Sequence, residues 1–389
     1  MRGTPRSTLY LLLVALAVHA VIVALVYILS PRPTLEDFNR FWEIGSTGGR
    51  PYVDYQVERG PLETLVLKTI AAASGTRARF GRVVVLVNAA ADIAILGALA
   101  SGWGVAAATY FALVALPLLN MLCERIDLWS VAAATIAVAA WQRDRRIVTA
   151  IVLVVGGAFK VWPLPLAILL LAPGTRRSRA APVATFVALS AAFGVTWWML
   201  AGWSGFYQVL TFRGAQGWQV ESTVGALLLL GGSAVRMEAG AHRLGSTSRL
   251  TSMVSFVLAV PAYVWSVWRG GRAGRVGVGW LTGVSALLLL SPLFSPQFMG
   301  WIMPGAAIAW AEGDRRPAAL AGATVFLTFL EWSVYSALVD GALPAVLLVI
   351  ARNVTMAALV STGLTLLARA DVRRFVLPHD LGPVERLEP

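Results

Sequence analysis

The sequence predicts an all-α, polytopic membrane protein, a single integral membrane domain over residues 1–389 with about 10 to 13 membrane helices. Three observations lead there. The chain is 58% hydrophobic and 13% charged, against about 45–50% and about 25% in soluble domains. Apolar runs recur along its whole length and leave no gap that fits a soluble domain. Its basic charge, nearly all arginine, falls in short clusters between those runs, the pattern by which a membrane protein sets its orientation.

Residues 9–30, "LYLLLVALAVHAVIVALVYILS", are long enough for a first span. The leading "MRGTPR" resembles the basic start of a signal peptide, but the apolar run is too long and Pro31 spoils a small-residue cleavage site. Further runs fall at 61–75, 83–101, 103–122, 127–141, 147–172, 181–203, 223–235, 249–268, 276–291, 299–311, 318–338 and 345–367. The clusters "RDRR" (143–146), "RRSR" (176–179), "RGGRAGR" (269–275) and "GDRR" (313–316), with the tail 368–389, are expected to face the cytoplasm. Residues 31–60, 204–222, 291–298 and 339–344 are then left outside. Parity demands a break, because one run separates "RDRR" from "RRSR". Lys160, Pro163 and Pro165 place it in "GGAFKVWPLP", between two short helices. The runs at 103–122 and 223–235 are expected to enter only partway.

The net charge of +12 is scattered over many loops and not drawn into one stripe, so membrane lipids are the expected partner and nucleic acid is not. Cys123 is the single cysteine, which rules out an intrachain disulfide. Three scattered histidines offer no Cys/His metal cage, and nothing calls for a cofactor. Asp37, Asp54 and Glu58 would bind a metal only if they converged.

The polar stretch "PTLEDFNRFWEIGSTGGRPYVDYQVERGPL" (33–62) follows the first span. Leu35, Phe38, Phe41 and Trp42 are spaced as one helical face, which predicts an amphipathic helix lying on the bilayer surface. Within it Asp37 is suited to act as a general base, taking the proton of an attacking hydroxyl. The competing role is structural, since Thr34 and Asp37 are spaced as a capping box. Glu36 and Glu43 are expected to be solvated.

Three more segments carry polar groups. "RGAQGWQVES" (213–222) places Arg213, Gln216, Gln219, Glu221 and Ser222 on the face of Asp37, where the arginine fork suits a phosphate and the amides suit sugar hydroxyls, or is an ordinary polar loop. In "SPLFSPQFMGWIMP" (291–304) the Ser-Pro steps mark a turn between helices, while Gln297 and Trp301 can present an amide and a ring face to a sugar. "CERID" (123–127) suggests a structural Glu124–Arg125 ion pair. Lys160, beside Trp162, has no obvious acidic neighbour in the sequence and is a candidate for a ligand phosphate.

Taken in order, these landmarks resemble a known family. "LEDFNRFW…GGRPYVDYQVERGPL" is similar to the early loop of polyprenyl-phosphate-sugar-dependent glycosyltransferases of the GT-C superfamily, particularly glycosyltransferase family 87, which includes bacterial α-mannosyltransferases. Asp37 stands at the family's acidic position, "GGRPYVDY" matches its G-x-P-Y segment, and Glu58 stands at its glutamate. Arg59 and Gly60 replace the usual Tyr-Pro. "FKVWPLPLAILLL" resembles the K-x-x-P helix, "RGAQGWQVES" the R-G-x-Q-x-E-S loop, and "SPQFMGWIMP" the S-P-Q-Y-x-x-W-x-x-P segment.

The resemblance implies a GT-C-like bundle with short broken helices. It implies transfer of a sugar, mannose by likeness to the family's α-mannosyltransferases, from a polyprenyl-phosphate donor to a glycolipid or glycan acceptor outside the bacterial plasma membrane. Asp37 would be the base, Arg213 and Lys160 would hold the donor phosphate, and Asp54, Glu58, Gln216, Glu221, Gln297 and Trp301 would contact substrate. The alternative from another class is a lipid or sugar transporter or flippase, which also uses broken helices and embedded charge. No internal repeat speaks for it. A lipid-glycan polymerase or ligase, which moves whole oligosaccharides, is the second rival.

Overall fold

Long apolar runs in a bilayer satisfy their backbone amides as helices, and the computed structural model, which describes residues 5–29, 36–172 and 176–370, follows that rule. In chain order the first helices are α1 (Pro5–Leu29), α2 (Glu36–Ser46), α3 (Pro61–Ser74), α4 (Arg77–Trp103), α5 (Val105–Ala115), α6 (Leu119–Glu124), α7 (Asp127–Gln142) and α8 (Arg146–Phe159). A 3-10 helix (Leu164–Leu171) leads to α9 (Arg176–Leu210), α10 (Thr223–Leu230), α11 (Arg249–Ala273) and α12 (Val276–Leu290). The chain closes with α13 (Met299–Ala311), α14 (Arg315–Ser333), α15 (Tyr335–Val339) and α16 (Leu343–Arg369). Among the described residues six stretches are long and apolar enough to cross a membrane: Ser7–Leu29, Arg77–Trp103, Val105–Glu124, Arg179–Leu210, Met253–Ala273 and Leu343–Arg369.

Contacts between helix ends define two faces. On one, Arg143 donates to the Ser101 carbonyl, Trp141 to that of Leu169, Arg269 to that of Leu367, and Arg275 pairs with Asp314. The arginine clusters around 143–146 and 269–275 thus share an end. On the other face the Val57 amide donates to Gln208, the Gln219 amide to the Pro292 carbonyl, and Arg352 to the Glu221 carbonyl. Residues 47–60, 211–222 and 291–298 meet there. This is the site face.

The expected break is present. α8 ends at Phe159, Lys160 takes an extended conformation, and the 3-10 helix returns to the arginine face, where Leu169 meets Trp141. One apolar run therefore enters and comes back, which closes the parity. α9 is interrupted at Gly202, whose φ of 60° is open to glycine.

Other expectations need correction. The run at 103–122 does not stop partway: α5 and α6 continue through a 3-10 turn at Leu116–Leu118 into one stretch long enough to cross. The run at 223–235, by contrast, accords with the expectation of partial entry: α10 has only eight residues, roughly 12 Å at the helical rise, too short to cross. The run at 61–75 does not cross either. In the first turn of α4, Phe80 lies edge-on to Trp42 of α2, so both ends of α3 stay near the site face. α2 does not rest its apolar side on a bilayer. Phe38, Phe41 and Ile44 are 4%, 0% and 0% exposed, and Gly45 lies so close to α3 that an added Cβ would come 2.7 Å from the Leu67 carbonyl. Thr34 and Leu35, and with them the capping box, lie outside the described residues, as does the tail from 371.

A three-stranded antiparallel ribbon, unforeseen in the sequence, sits on the site face with strand order β1 (Trp218–Gln219), β3 (Ala241–Leu244), β2 (Arg236–Glu238). Ala239 and Gly240, with φ of 52° and 74°, form its tight turn. A satellite core of Val220, Leu229, Leu244, Val346 and Val349 fastens it to α10 and α16.

Beneath the ribbon, Arg352 and Glu331, both 0% exposed, pair at 3.3 Å. Glu331→Leu leaves a buried guanidinium without its partner and should cost about 3–5 kcal/mol, read as a lower unfolding midpoint of the purified protein in detergent. Adding Arg352→Met should restore most of that loss. A double variant no more stable than the single one would show that charge pairing is not what the site contributes.

Candidate active site

The site grows from short segments at the helix ends. Asp37 and Arg40 stand one turn apart on α2, whose buried aromatics fix the helix against α3. Asp37 forms an ion pair with Arg125, and its side chain keeps 29% exposure. Arg125 follows α6 in extended conformation, and the segment before it is held by Asn88, which donates to the Cys123 carbonyl at 2.6 Å. The Glu124–Arg125 pair expected from "CERID" is thus replaced by a pairing across 88 positions of sequence.

Two residues further on, Asp127 opens α7 with 1% exposure. Its carboxylate accepts from Lys160 Nζ at 2.5 Å and from Trp301 Nε1 at 3.0 Å. Lys160 is therefore not a cation without an acidic neighbour. It is the partly exposed half of a pair with buried Asp127, with its Nζ 5.5 Å from the Phe298 ring centre and 5.6 Å from that of Trp301. Trp301 stacks on Trp162 at 5.2 Å and is 9% exposed, so its faces serve packing in this arrangement. Gln297, 7% exposed, accepts from the Ser295 hydroxyl.

Glu58 is the focus of a second cluster. Arg40 grips it with both arms, at 3.1 and 2.8 Å, while Arg213 lies at 3.3 Å and Arg59 at 3.8 Å. Burial pushes the Glu58 carboxyl up, but hydrogen bonding from Arg40 and the charges of Arg59, Arg40 and Arg213 outweigh it and hold the group below the ordinary glutamate value. It is ionised at neutral pH. Three guanidiniums thus surround one carboxylate, with exposed Glu43 a second partner of Arg40 at 2.8 Å.

Local backbone chemistry explains how these groups arrive. Tyr52 donates its hydroxyl to the Arg59 carbonyl at 2.7 Å, and Gln208 spans from the Tyr52 carbonyl to the Val57 amide. A Cβ on Gly60 would fall 2.1 Å from the Phe159 carbonyl, so glycine there lets the loop settle on the end of α8. That contact accounts for Gly60. Arg59, its neighbour, lies over the Phe41 ring at 5.0 Å. Arg213 has a φ of 63° and donates to the Ala239 carbonyl at the ribbon turn, 2.7 Å away.

Asp37, Glu58, Lys160, Arg213 and Trp301 therefore belong to neighbouring parts of one charged face. Three expected residues stand apart from its centre. Asp54 is exposed and staples its own turn, accepting from the Arg50 amide at 2.7 Å. Gln216 is exposed at the rim, its backbone amide held by Glu238. Glu221 is 3% exposed and its carbonyl accepts from Arg352, so it faces the buried Arg352–Glu331 pair. Asp37, Asp54 and Glu58 do not converge, and among the described residues no three His, Cys, Asp or Glu side chains are grouped to hold a metal ion.

The sequence reading missed Arg40 and Arg59 and the roles of Arg125 and Asp127. "CERID" was the available signal, because charge between two apolar runs needs a partner. Comparison of the chain with models of known protein families and with curated proteins gives no match.

Proposed function

We propose that this protein is a membrane glycosyltransferase that moves a sugar from a polyprenyl-phosphate carrier to a hydroxyl of a glycolipid or glycan. The observation that carries the reading is the partly exposed Asp37 carboxylate, oriented by Arg125 on the same face as the arginines around Glu58. Asp37 takes the proton of the acceptor hydroxyl, whose oxygen attacks the anomeric carbon. The bond from that carbon to the phosphate oxygen breaks, and the carrier phosphate leaves with the electron pair. Direct displacement inverts the anomeric centre. Arg213 faces the departing anion, and such preorganised charge is typically worth several kcal/mol.

Mannose is the sugar favoured by the motif resemblance, with the external face of a bacterial plasma membrane as the setting. Lys160 is reassigned: its pairing with Asp127 supports a role in holding the floor of the site instead of meeting the phosphate. Purified protein in nanodiscs is expected to use polyprenyl-phosphate-mannose and not GDP-mannose. Mannose transport without glycosidic-bond formation would favour the flippase reading, and transfer of preassembled oligosaccharide the ligase.

Asp37→Asn should lower transfer by about a hundred- to ten-thousandfold, the range typical of a lost general base, while leaving the unfolding midpoint near wild type. Normal turnover would return Asp37 to a purely structural role. For Arg213, alanine should weaken transfer more than lysine, because lysine keeps a charge but not the fork; equal and negligible effects would remove it from the site.

Orientation is separately open to measurement. In a Cys123→Ala background, Ser46→Cys should react with an impermeant thiol reagent in intact spheroplasts, and Arg145→Cys only after permeabilisation. The reverse pattern would put the site in the cytoplasm.

A further inference from the structure

The first turn of α3 is pressed onto the end of α8, with Gly60 against the Phe159 carbonyl, and this brings Glu63 into the floor of the site. Glu63 is 0% exposed, and neither of its carboxyl oxygens has a hydrogen-bond partner. The Gly60 amide, at the start of the same turn, faces it without hydrogen-bonding geometry. Of the charges around it, that of Lys160 acts most strongly, followed by Arg59 and then Asp127. Neither cation is given over to it. Lys160 donates to Asp127 at 2.5 Å, and Arg59 leans on Glu58 at 3.8 Å and over the Phe41 ring.

Two buried carboxyls, Glu63 and Asp127, therefore face one ammonium. The other charged and titratable groups on the elements packed around Glu63 are engaged elsewhere. On α2, Asp37 pairs with Arg125, and Arg40 with Glu58 and Glu43; on α4, Arg82 lies over the Tyr27 ring. Tyr52 donates to the Arg59 carbonyl, and Lys68, on α3 itself, to the Thr47 carbonyl and the Tyr55 hydroxyl. A buried carboxylate with no hydrogen bond is costly enough that such a group takes up a proton instead. Burial accordingly pushes the Glu63 carboxyl up to about 7, with Lys160 and Arg59 opposing that rise and not cancelling it. Lysine suits a shared position, because its point charge sits on a flexible stem with three rotatable donors.

We infer that Glu63 is a proton-bearing positioning residue in the floor of the site: protonated, it leaves Lys160 to Asp127, and ionised, it competes for the same ammonium and loosens that anchor. Asp127 also holds Trp301, and Arg125 lies two residues before it, so a shift of Lys160 is felt at the partner of Asp37. The site is assembled on the acid side of the Glu63 titration and relaxes on the alkaline side. That this changes the rate of sugar transfer rests on the transferase reading; the exchange of Lys160 between two carboxyls does not.

The chain contains two lysines, Lys68 and Lys160, so the Lys160 ammonium can be followed by NMR of the purified full-length protein in detergent with isotope-labelled lysine, Lys68→Arg serving to assign the signals. In wild type the Lys160 signal should shift as the pH rises through about 7. In Glu63→Gln, which keeps the shape and cannot ionise, it should stay in place. One infrared band of a protonated carboxyl should vanish over the same range in wild type and be missing from Glu63→Gln. With polyprenyl-phosphate-mannose as donor, wild-type transfer should fall by about tenfold for each pH unit on the alkaline side, the slope of a single ionisation. Glu63→Gln should hold its rate there, and Glu63→Asp should bring the decline back. A wild-type Lys160 signal indifferent to pH, or one that moves equally in Glu63→Gln, would overturn the inference. The two readings fail separately. A Glu63-dependent shift of Lys160 without sugar transfer would keep the switch and remove the enzyme, whereas transfer with the wild-type pH profile in Glu63→Gln would keep the enzyme and remove Glu63 from its control.

Discussion

The buried carboxylate at the head of α7 is the constraint on which the site face depends. Asp127 gathers Lys160 from the end of α8 and Trp301 from α13, joining three elements that the chain delivers far apart. Removing a charge from water is tolerable only with a close counter-charge and good hydrogen bonds. Each element is therefore held to a narrow position. Lys160 must stop being helical to reach Asp127, which sets where α8 ends and the returning 3-10 helix begins. Arg125, two residues upstream, inherits that position and brings it to Asp37.

Around this anchor the charged face divides its work. Glu58 draws Arg40, Arg59 and Arg213 together without neutralising all of them, so positive potential survives next to a carboxylate that is itself kept ionised. Arginine suits this duty because its planar fork fixes direction as well as charge and does not lose its proton. The ribbon supplies the remaining wall, with the Ala239 carbonyl at its turn holding Arg213 in a left-handed backbone conformation.

Much of this was legible in advance, and the limits have physical causes. α1, α4, α9, α11 and α16 announce themselves because runs of that length and polarity have few alternatives to a membrane helix. The break at Lys160 was readable from a charge and two prolines in an apolar run. The placement of α3 was not legible, because fourteen mostly apolar residues look alike whether they cross or lie against α2. The ribbon escaped because its strands have two to four residues, too short for alternation to register. Candidate residues were readable by type, whereas their partners were not. Asp37 with Arg125, and Lys160 with Asp127, are choices made by packing across many helices, and an equally charged neighbour such as Glu124 is a misleading guide.

The ribbon also gives the protein an unusual point of access. Arg236 and Met237 stand 45% and 55% exposed on a strand directly paired with the one that carries Arg243. A water-borne macromolecule, such as an antibody fragment raised against the hairpin, would find an epitope whose far side is part of the charged wall. A ligand gripping that epitope would bear on the charged wall from the strand side, without entering the helix bundle.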